Sequence, residues 1–345
     1  MVNESDNLLR HYSQPILKFL DDPAVTEVCI PRFDQIEVER NGMLELTDAA
    51  WENEYDFVSW IKQVALSLGQ EVDEQRQPLI DARLPDGTRF NAALRPVSVL
   101  GPNATLRPYP KKLHTMDDLI GFGALTEDMK KIAVHAILAR LNLLMSGGTG
   151  SGKTSGLRAM CSFIPHDERL LTVEDTNENL LPDHPHKVYY EAPKRKVEAG
   201  IQPITMGRLI ENTLRGRPDR VIVGEIRNPE AGGAFVEAIN TGHGGAQATI
   251  HANDALDALF RLEILYARQA MNMTMELIQP IVRRNIDLVV HASRIIDGKK
   301  RLRVWKEMLW LENGQPVMLA EYRKRDGFIL HEAACSRFME STADH

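Results

Sequence analysis

Cysteine is scarce in this chain. Cys29, Cys161 and Cys335 are odd in number, far apart and never in a C-x-x-C pair, so neither a disulfide framework nor a zinc knuckle is expected. That usage suits a reducing compartment. Long apolar runs are missing too: the best candidate, residues 132–145, is broken by His135 and Arg140 and falls short of the roughly 18 residues that a membrane span needs. The first 19 residues carry acidic groups early and lack the apolar core of a signal peptide. Aromatics make up only 6% of the chain and the net charge is −7, so direct nucleic-acid binding is not indicated, although a local basic patch stays open.

What is present is an ordinary globular composition, 43% hydrophobic and 26% charged, in 345 residues, enough for two domains. The N-terminal part reads as a helix over 8–20, strands near 26–30 and 35–40, and a hairpin at Asn41-Gly42. Phe57, Trp60, Ile61, Val64, Ala65 and Leu68 recur at helical spacing as core residues, with Gly69 as the C-terminal cap. A second hairpin is expected at Asp86-Gly87, between strands 79–84 and 89–95. Gly101-Pro102-Asn103 and Arg107-Pro108-Tyr109-Pro110 read as a linker. The division is therefore an α+β domain at 1–105, a linker at 106–120 and a second domain at 121–345.

The second domain alternates strands and helices, as a parallel sheet with crossover helices requires. Strands are expected near 142–145, 170–173, 221–223 and 248–250, with helices near 155–164, 204–215, 255–269 and 274–285. Another helix starts at Pro229 and stops before Gly242, yet holds Gly232-Gly233, where each glycine costs about 1 kcal/mol against alanine. Close approach of a neighbour and a weaker helix both explain that pair. Strands near 287–296, 302–311 and 317–322 read as an antiparallel extension, and the last dozen residues carry no usable signal.

Residues 141–155 organise this domain. Gly147, Gly148, Thr149, Gly150, Ser151, Gly152, Lys153 and Thr154 fill G-x-x-x-x-G-K-[ST] between an apolar strand and a helix beginning at Ser155. Glycine lets backbone N–H groups turn around phosphate oxygens where a Cβ would obstruct them, and the following helix aims its positive end at the same anion. Lys153 brings a charge to the β/γ-phosphates of a nucleotide, and the Thr154 hydroxyl can ligate Mg²⁺.

Hydrolysis needs more than binding: an acid that orients water, a second acidic group, and donors for the developing charge. Candidates stand at the ends of successive strands, where open parallel sheets bind ligands. They are Glu174, Asp175 and Glu178; then Gly224, Glu225 and Arg227; then His251, after a loop containing His243. Singly, each carboxylate reads as a solvated loop residue and His251 as a core histidine; their shared placement favours the site.

In order, the phosphate loop, the acidic box 173–178, Leu214-Arg215 through Pro218-Asp219 into 221–227, and Thr241-Gly242-His243-Gly244 with His251-Ala252 make the chain resemble the secretion traffic ATPases. These are hexameric motors of type IV secretion, conjugation, type IV pili and type II secretion. Leu180-Leu181-Pro182-Asp183-His184-Pro185 resembles the type IV secretion and conjugation branch, and the lack of a four-cysteine module argues against the type II branch. The resemblance implies an α/β fold: the N-terminal α+β domain, then a RecA-like P-loop domain with a mainly parallel sheet and a C-terminal antiparallel extension. It implies ATP and Mg²⁺ as ligands, with Thr154 and Glu225 toward the metal and Glu225 as the water-activating acid. Glu174, Asp175 and Glu178 would form the second acidic group, and His243 and His251 would sense phosphate. Arg107, with Arg89 and Arg95, would reach the nucleotide from the N-terminal domain, and Arg215 matches the arginine before the Walker B strand; each fits a surface ion pair as well. A homo-oligomeric ring on the cytoplasmic face of the inner membrane, working with membrane components and other ATPases of a secretion machine, is the implied setting. A related pilus-assembly ATPase, a nucleic-acid motor and a nucleotide-gated scaffold remain the alternatives.

Overall fold

The computed structural model describes residues 13–40, 42–109, 113–175, 181, 183–193, 202–242, 244–270, 273–297 and 300–343. Two compact units divide the chain, Met1–Leu113 and His114–His345.

The first unit is built on a six-stranded antiparallel sheet. Its strands are β1 (Val25–Arg32), β2 (Gln35–Arg40), β3 (Met43–Leu46), β4 (Leu79–Arg83), β5 (Arg89–Ala93) and β6 (Asn103–Arg107), in the order β3-β2-β1-β6-β5-β4. Helices α1 (Gln14–Leu20) and α2 (Glu54–Ser67) contribute to one core with the sheet. Asn53 caps α2 by accepting the Asp56 N–H, and the helix buries Phe57, Trp60, Ile61 and Val64 at the expected spacing. Trp60 meets Trp51 with ring centroids 5.0 Å apart, and its indole N–H donates to Ser13 Oγ at 2.9 Å. Gly69 has φ +66° just past the helix, as a C-terminal cap requires.

β6 is a departure from the sequence reading, which placed Gly101-Pro102-Asn103 and Arg107-Pro108 in a linker. The strand lies inside the sheet, paired to β1 and β5. Its alternation is short: Ala104 and Leu106 are buried, and Gly101-Pro102 before the strand and Pro108 after it mask the pattern.

The second unit carries a nine-stranded sheet in the order β15-β14-β13-β12-β7-β11-β10-β8-β9. From β12 to β9 the pairs are parallel: β12 (Leu288–Asp297), β7 (Leu143–Gly147), β11 (Gln247–Ile250), β10 (Arg220–Ile226), β8 (Leu170–Glu174) and β9 (Lys187–Glu191). β13 (Lys300–Glu312), β14 (Gln315–Arg323) and β15 (Gly327–Leu330) continue antiparallel. The helices are α3 (Met116–Gly121), α4 (Glu127–Leu138), α5 (Lys153–Cys161), α6 (Met206–Thr213), α7 (Pro229–Asn240), α8 (Ala255–Gln269), α9 (Met275–Asn285) and α10 (Glu332–Ser341). α3, β9, β15 and α10 were not read from the sequence. α10 packs Phe338, fully buried, edge-on to Trp310 at 5.6 Å.

Gly232 and Gly233 lie in an unbroken helix. A Cβ on Gly232 would sit 2.8 Å from Leu265 Cβ, and one on Gly233 would sit 2.9 Å from Gln269 Cβ, so the pair lets α7 press against α8. Close approach is the reason for both glycines. At the N-terminal ends of the parallel strands, Arg220 is fully buried and gives Nε and Nη2 to Glu168, at 2.5 and 2.9 Å; Arg140 adds a second contact to Glu168 at 3.2 Å.

Candidate functional site

β7 is buried along its length and ends at Gly147, where the chain turns into the phosphate loop. Gly147, Gly150 and Gly152 have φ of +154°, +69° and +93°, values that a side chain makes costly. A Cβ on Gly147 would also collide with the carbonyl of Ala292 and with Ser151 Oγ. Helix α5 begins at Lys153, two residues before the expected Ser155, so Lys153 and Thr154 form its first turn and its N–H groups face the loop. Gly156 brings this helix close to β7: a Cβ there would lie 2.9 Å from Met145 Sδ. Ser151 Oγ is buried with no hydrogen-bond partner, a polar atom left over inside an amide-lined turn.

The C-terminal ends of β8, β10 and β11 bring the acidic and basic groups beside this loop. Lys153 Nζ is 3.3 Å from His251 Nε2, and that imidazole nitrogen is 2.8 Å from Glu225 Oε1. Arg227 Nη2 donates to Glu225 Oε2 at 2.8 Å, and its other terminal nitrogen binds Asp175. Glu174 is 2% exposed and packs on Gly224, where a Cβ would lie 2.9 Å from Glu174 Cγ.

Glu225 owes its aim to a bulge. Val223 pairs with Ala248 and Ile226 with Ile250, so β10 carries one residue more than β11 across Gly224-Glu225. The extra residue turns the side chain out of the regular alternation. Thr249 Oγ1 donates to the Gly224 carbonyl at 2.6 Å and pins the bulge. The sequence reading ended this strand at 223 with Glu225 just beyond it; the strand runs on to Ile226.

Charge is set by neighbours. Burial opposes ionisation of Glu225, but the Arg227 hydrogen bond and the charges of Lys153, Arg227 and His251 outweigh it and hold the carboxyl below its ordinary value. Burial, then the charge of Lys153, push His251 below the usual imidazole value, with Glu225 pulling the other way. Neutral His251 has one lone pair for Lys153 or one proton for Glu225 at Nε2, never both. With the lone pair toward Lys153, Glu225 Oε1 is buried without a donor.

These observations fit a triphosphate and a hard cation. The loop offers amides and a lysine to anionic oxygens, and Thr154 and Glu225 offer oxygen to a metal.

The remaining candidates are Glu178, His243 and four arginines. Glu178 and His243 fall outside the described residues. Arg89 and Arg107 are register partners on β5 and β6 of the first unit. Arg95 pairs with Glu54 at 3.2 Å and donates to the Val99 carbonyl. Arg215 is exposed, donates to the Glu211 carbonyl and precedes β10, which places it at the opposite end of that strand from Glu225. Its position before the strand dictates this, so within one chain it does not join the loop.

Arg227 was visible in the sequence, but its bridging of Glu225 and Asp175 was not. Arg294 and Arg303, on β12 and β13, were missed entirely: Arg303 donates to the Gly150 carbonyl at 2.9 Å, a contact across 153 positions of sequence.

Residues 12–329 match the family described as "Type II/IV secretion system protein". The chain is 35% identical over 285 residues to "Conjugal transfer protein TrbB" of Rhizobium radiobacter, covering 81% of this chain and 83% of that one. It is 29% identical over 314 residues to "Type IV secretion system protein VirB11" of Brucella suis, covering 84% and 86%. Among solved structures, the Legionella pneumophila ATPase DotB aligns with a TM-score of 0.61 at 19% identity, over 88% of this chain and 81% of that one. That likeness is one of fold, and with the sheet order it gives an N-terminal α+β domain followed by a RecA-like P-loop domain. The chain belongs to the type II/IV secretion system protein family.

Proposed function

We propose that this protein is a Mg²⁺-dependent ATPase of a type IV secretion or conjugal-transfer machine. The observation that carries the reading is the run Lys153–His251–Glu225 beside a loop with three positive-φ glycines. Lys153 and the first amides of α5 bind the β/γ-phosphates. As Lys153 turns to phosphate it leaves His251 Nε2, which is then able to carry its proton toward Glu225. Glu225, kept ionised by Arg227, orients the attacking water and accepts its proton. Thr154 and Glu225 would hold Mg²⁺, which would supply charge neutralisation to the phosphoryl oxygens.

Asp175 holds Arg227 in place, and Glu174 supports the bulge at Gly224. The protein works as a homo-oligomeric ring on the cytoplasmic face of the inner membrane, driving export or assembly. The names of the relatives, conjugal transfer and type IV secretion, favour that branch over pilus assembly.

Phosphate release with and without Mg²⁺ tests the activity. Glu225→Gln should keep ATP binding and lose turnover by roughly 10²–10⁴-fold, the usual contribution of a general base. Wild-type turnover in the variant would remove Glu225 from the mechanism.

A further inference from the structure

The back of the phosphate loop is covered by two arginines. Arg294 and Arg303 are direct partners across the antiparallel pair β12–β13, so their side chains leave the same face of the sheet. Arg303 Nε donates to the Gly150 carbonyl at 2.9 Å. A Cβ on Gly150 would lie 3.2 Å from Arg294 Nη1, and a Cβ on Gly152 would lie 3.6 Å from Arg303 Cδ. Gly150 and Gly152 are the two left-handed positions between the end of β7 and Lys153. The arginines therefore sit against the residues whose conformation decides where the loop amides point.

A loop that turns its N–H groups inward must turn carbonyls outward, and those carbonyls need donors. Glycine makes the turn sterically accessible but leaves it the most conformational freedom to lose. A guanidinium on the Gly150 carbonyl removes much of that freedom, since a charged donor makes a stronger bond than a neutral one. The contact also spans from a late hairpin to the loop, so it cannot be replaced by local sequence.

We infer that Arg303, with Arg294 packed beside it, is a positioning residue that presets the phosphate loop for its anion, which makes the β12–β13 hairpin a working part of the nucleotide site. The inference rests on the proposed reading of this loop as a triphosphate site. Both arginines meet the loop at Gly150 and Gly152, so a role exercised through the loop has its signature in affinity and not in the chemical step.

The test uses the full chain with Arg303→Ala, Arg303→Lys and Arg294→Ala. Mg-ADP affinity, the KM and kcat for ATP, and amide hydrogen exchange across residues 147–156 are measured together. Arg303→Ala should weaken ADP about tenfold and raise KM similarly while kcat stays within about threefold, the size expected for one charge-assisted hydrogen bond. Exchange of the loop amides should quicken while that of β10 and β11 is unchanged. Arg303→Lys should recover most of the affinity, because an ammonium also donates to a single carbonyl, and Arg294→Ala should fall between. Unchanged exchange and affinity in Arg303→Ala, or a lysine variant no better than alanine, would overturn the assignment. Should Arg303→Ala fail to fold, Arg303→Met, which keeps the apolar stem and removes every donor, takes its place on the same readouts, and loop exchange and affinity equal to wild type in that variant overturn the assignment. A wild-type protein that binds no ADP would defeat the nucleotide reading alone; the exchange comparison still decides the role of Arg303.

Discussion

His251 Nε2 stands 2.8 Å from Glu225 Oε1, and what passes between them depends on a proton that Lys153 competes to exclude. Burial and Lys153 both lower the His251 pKa, and Glu225 raises it. Lys153→Ala removes the largest of the charges that lower it. The His251 resonance should then titrate at higher pH than in wild type, followed by NMR on the ring protons. The same variant should lose ATP turnover by at least 10²–10³-fold, as for removal of a principal donor to developing charge. An unmoved titration would mean that the Lys153–His251 contact is not electrostatically significant.

Acid should destabilise the protein earlier than carboxylates alone would. Burial is the leading cause that lowers the pKa of His135, His184, His251 and His291 below 6.5. Below about pH 6.5 the unfolded chain binds protons that the native chain refuses, so stability falls as pH falls through that range. Glu225, also depressed, adds a further loss below its ordinary value of 4.5. Melting temperature measured from pH 7.5 to 5.5 at fixed ionic strength should decline, and less steeply in His291→Gln. A flat or rising profile would contradict the sign.

Glu168 is the counter-charge of an arginine with no exposed side-chain surface. Glu168→Ala leaves Arg220 buried and unpaired, which should cost about 3–5 kcal/mol. Glu168→Gln keeps an acceptor and should cost less. Urea unfolding of the two variants gives the comparison, and equal losses would show that the charge itself is unimportant.

Gly232→Ala improves helix propensity by about 1 kcal/mol. It also places a methyl 2.8 Å from Leu265 Cβ, an atom that no rotamer change can move away. Overpacking of this kind costs about 1–3 kcal/mol, so the variant should be net destabilised. A gain in urea midpoint would mean that α7 and α8 separate freely.

The phosphate loop was legible because its chemistry is local: glycines, Lys153 and Thr154 are contiguous, and a strand and helix flank them. Strand ends supplied Glu174, Asp175, Glu225 and His251 for the same reason. What escaped depended on partners distant in sequence. β6 alternates over five residues between glycine and proline, so its strand character comes from β1 and β5 on either side. β9 shows no alternation at all, being an edge strand of half-buried residues. The bulge at Gly224-Glu225 exists only relative to β11, and the meeting of Arg303 with Gly150 only through the register of β12, β13 and β7. No pattern within a few residues encodes such pairings.

The placement of β6 also bears on how load passes through the first unit. The chain leaves this strand at Arg107, and the strand is flanked by hydrogen-bonded neighbours on both sides. Tension drawn along it from its C-terminal end must shear two ladders together, whereas an edge strand would peel one bond at a time. The unit is thereby anchored by its middle.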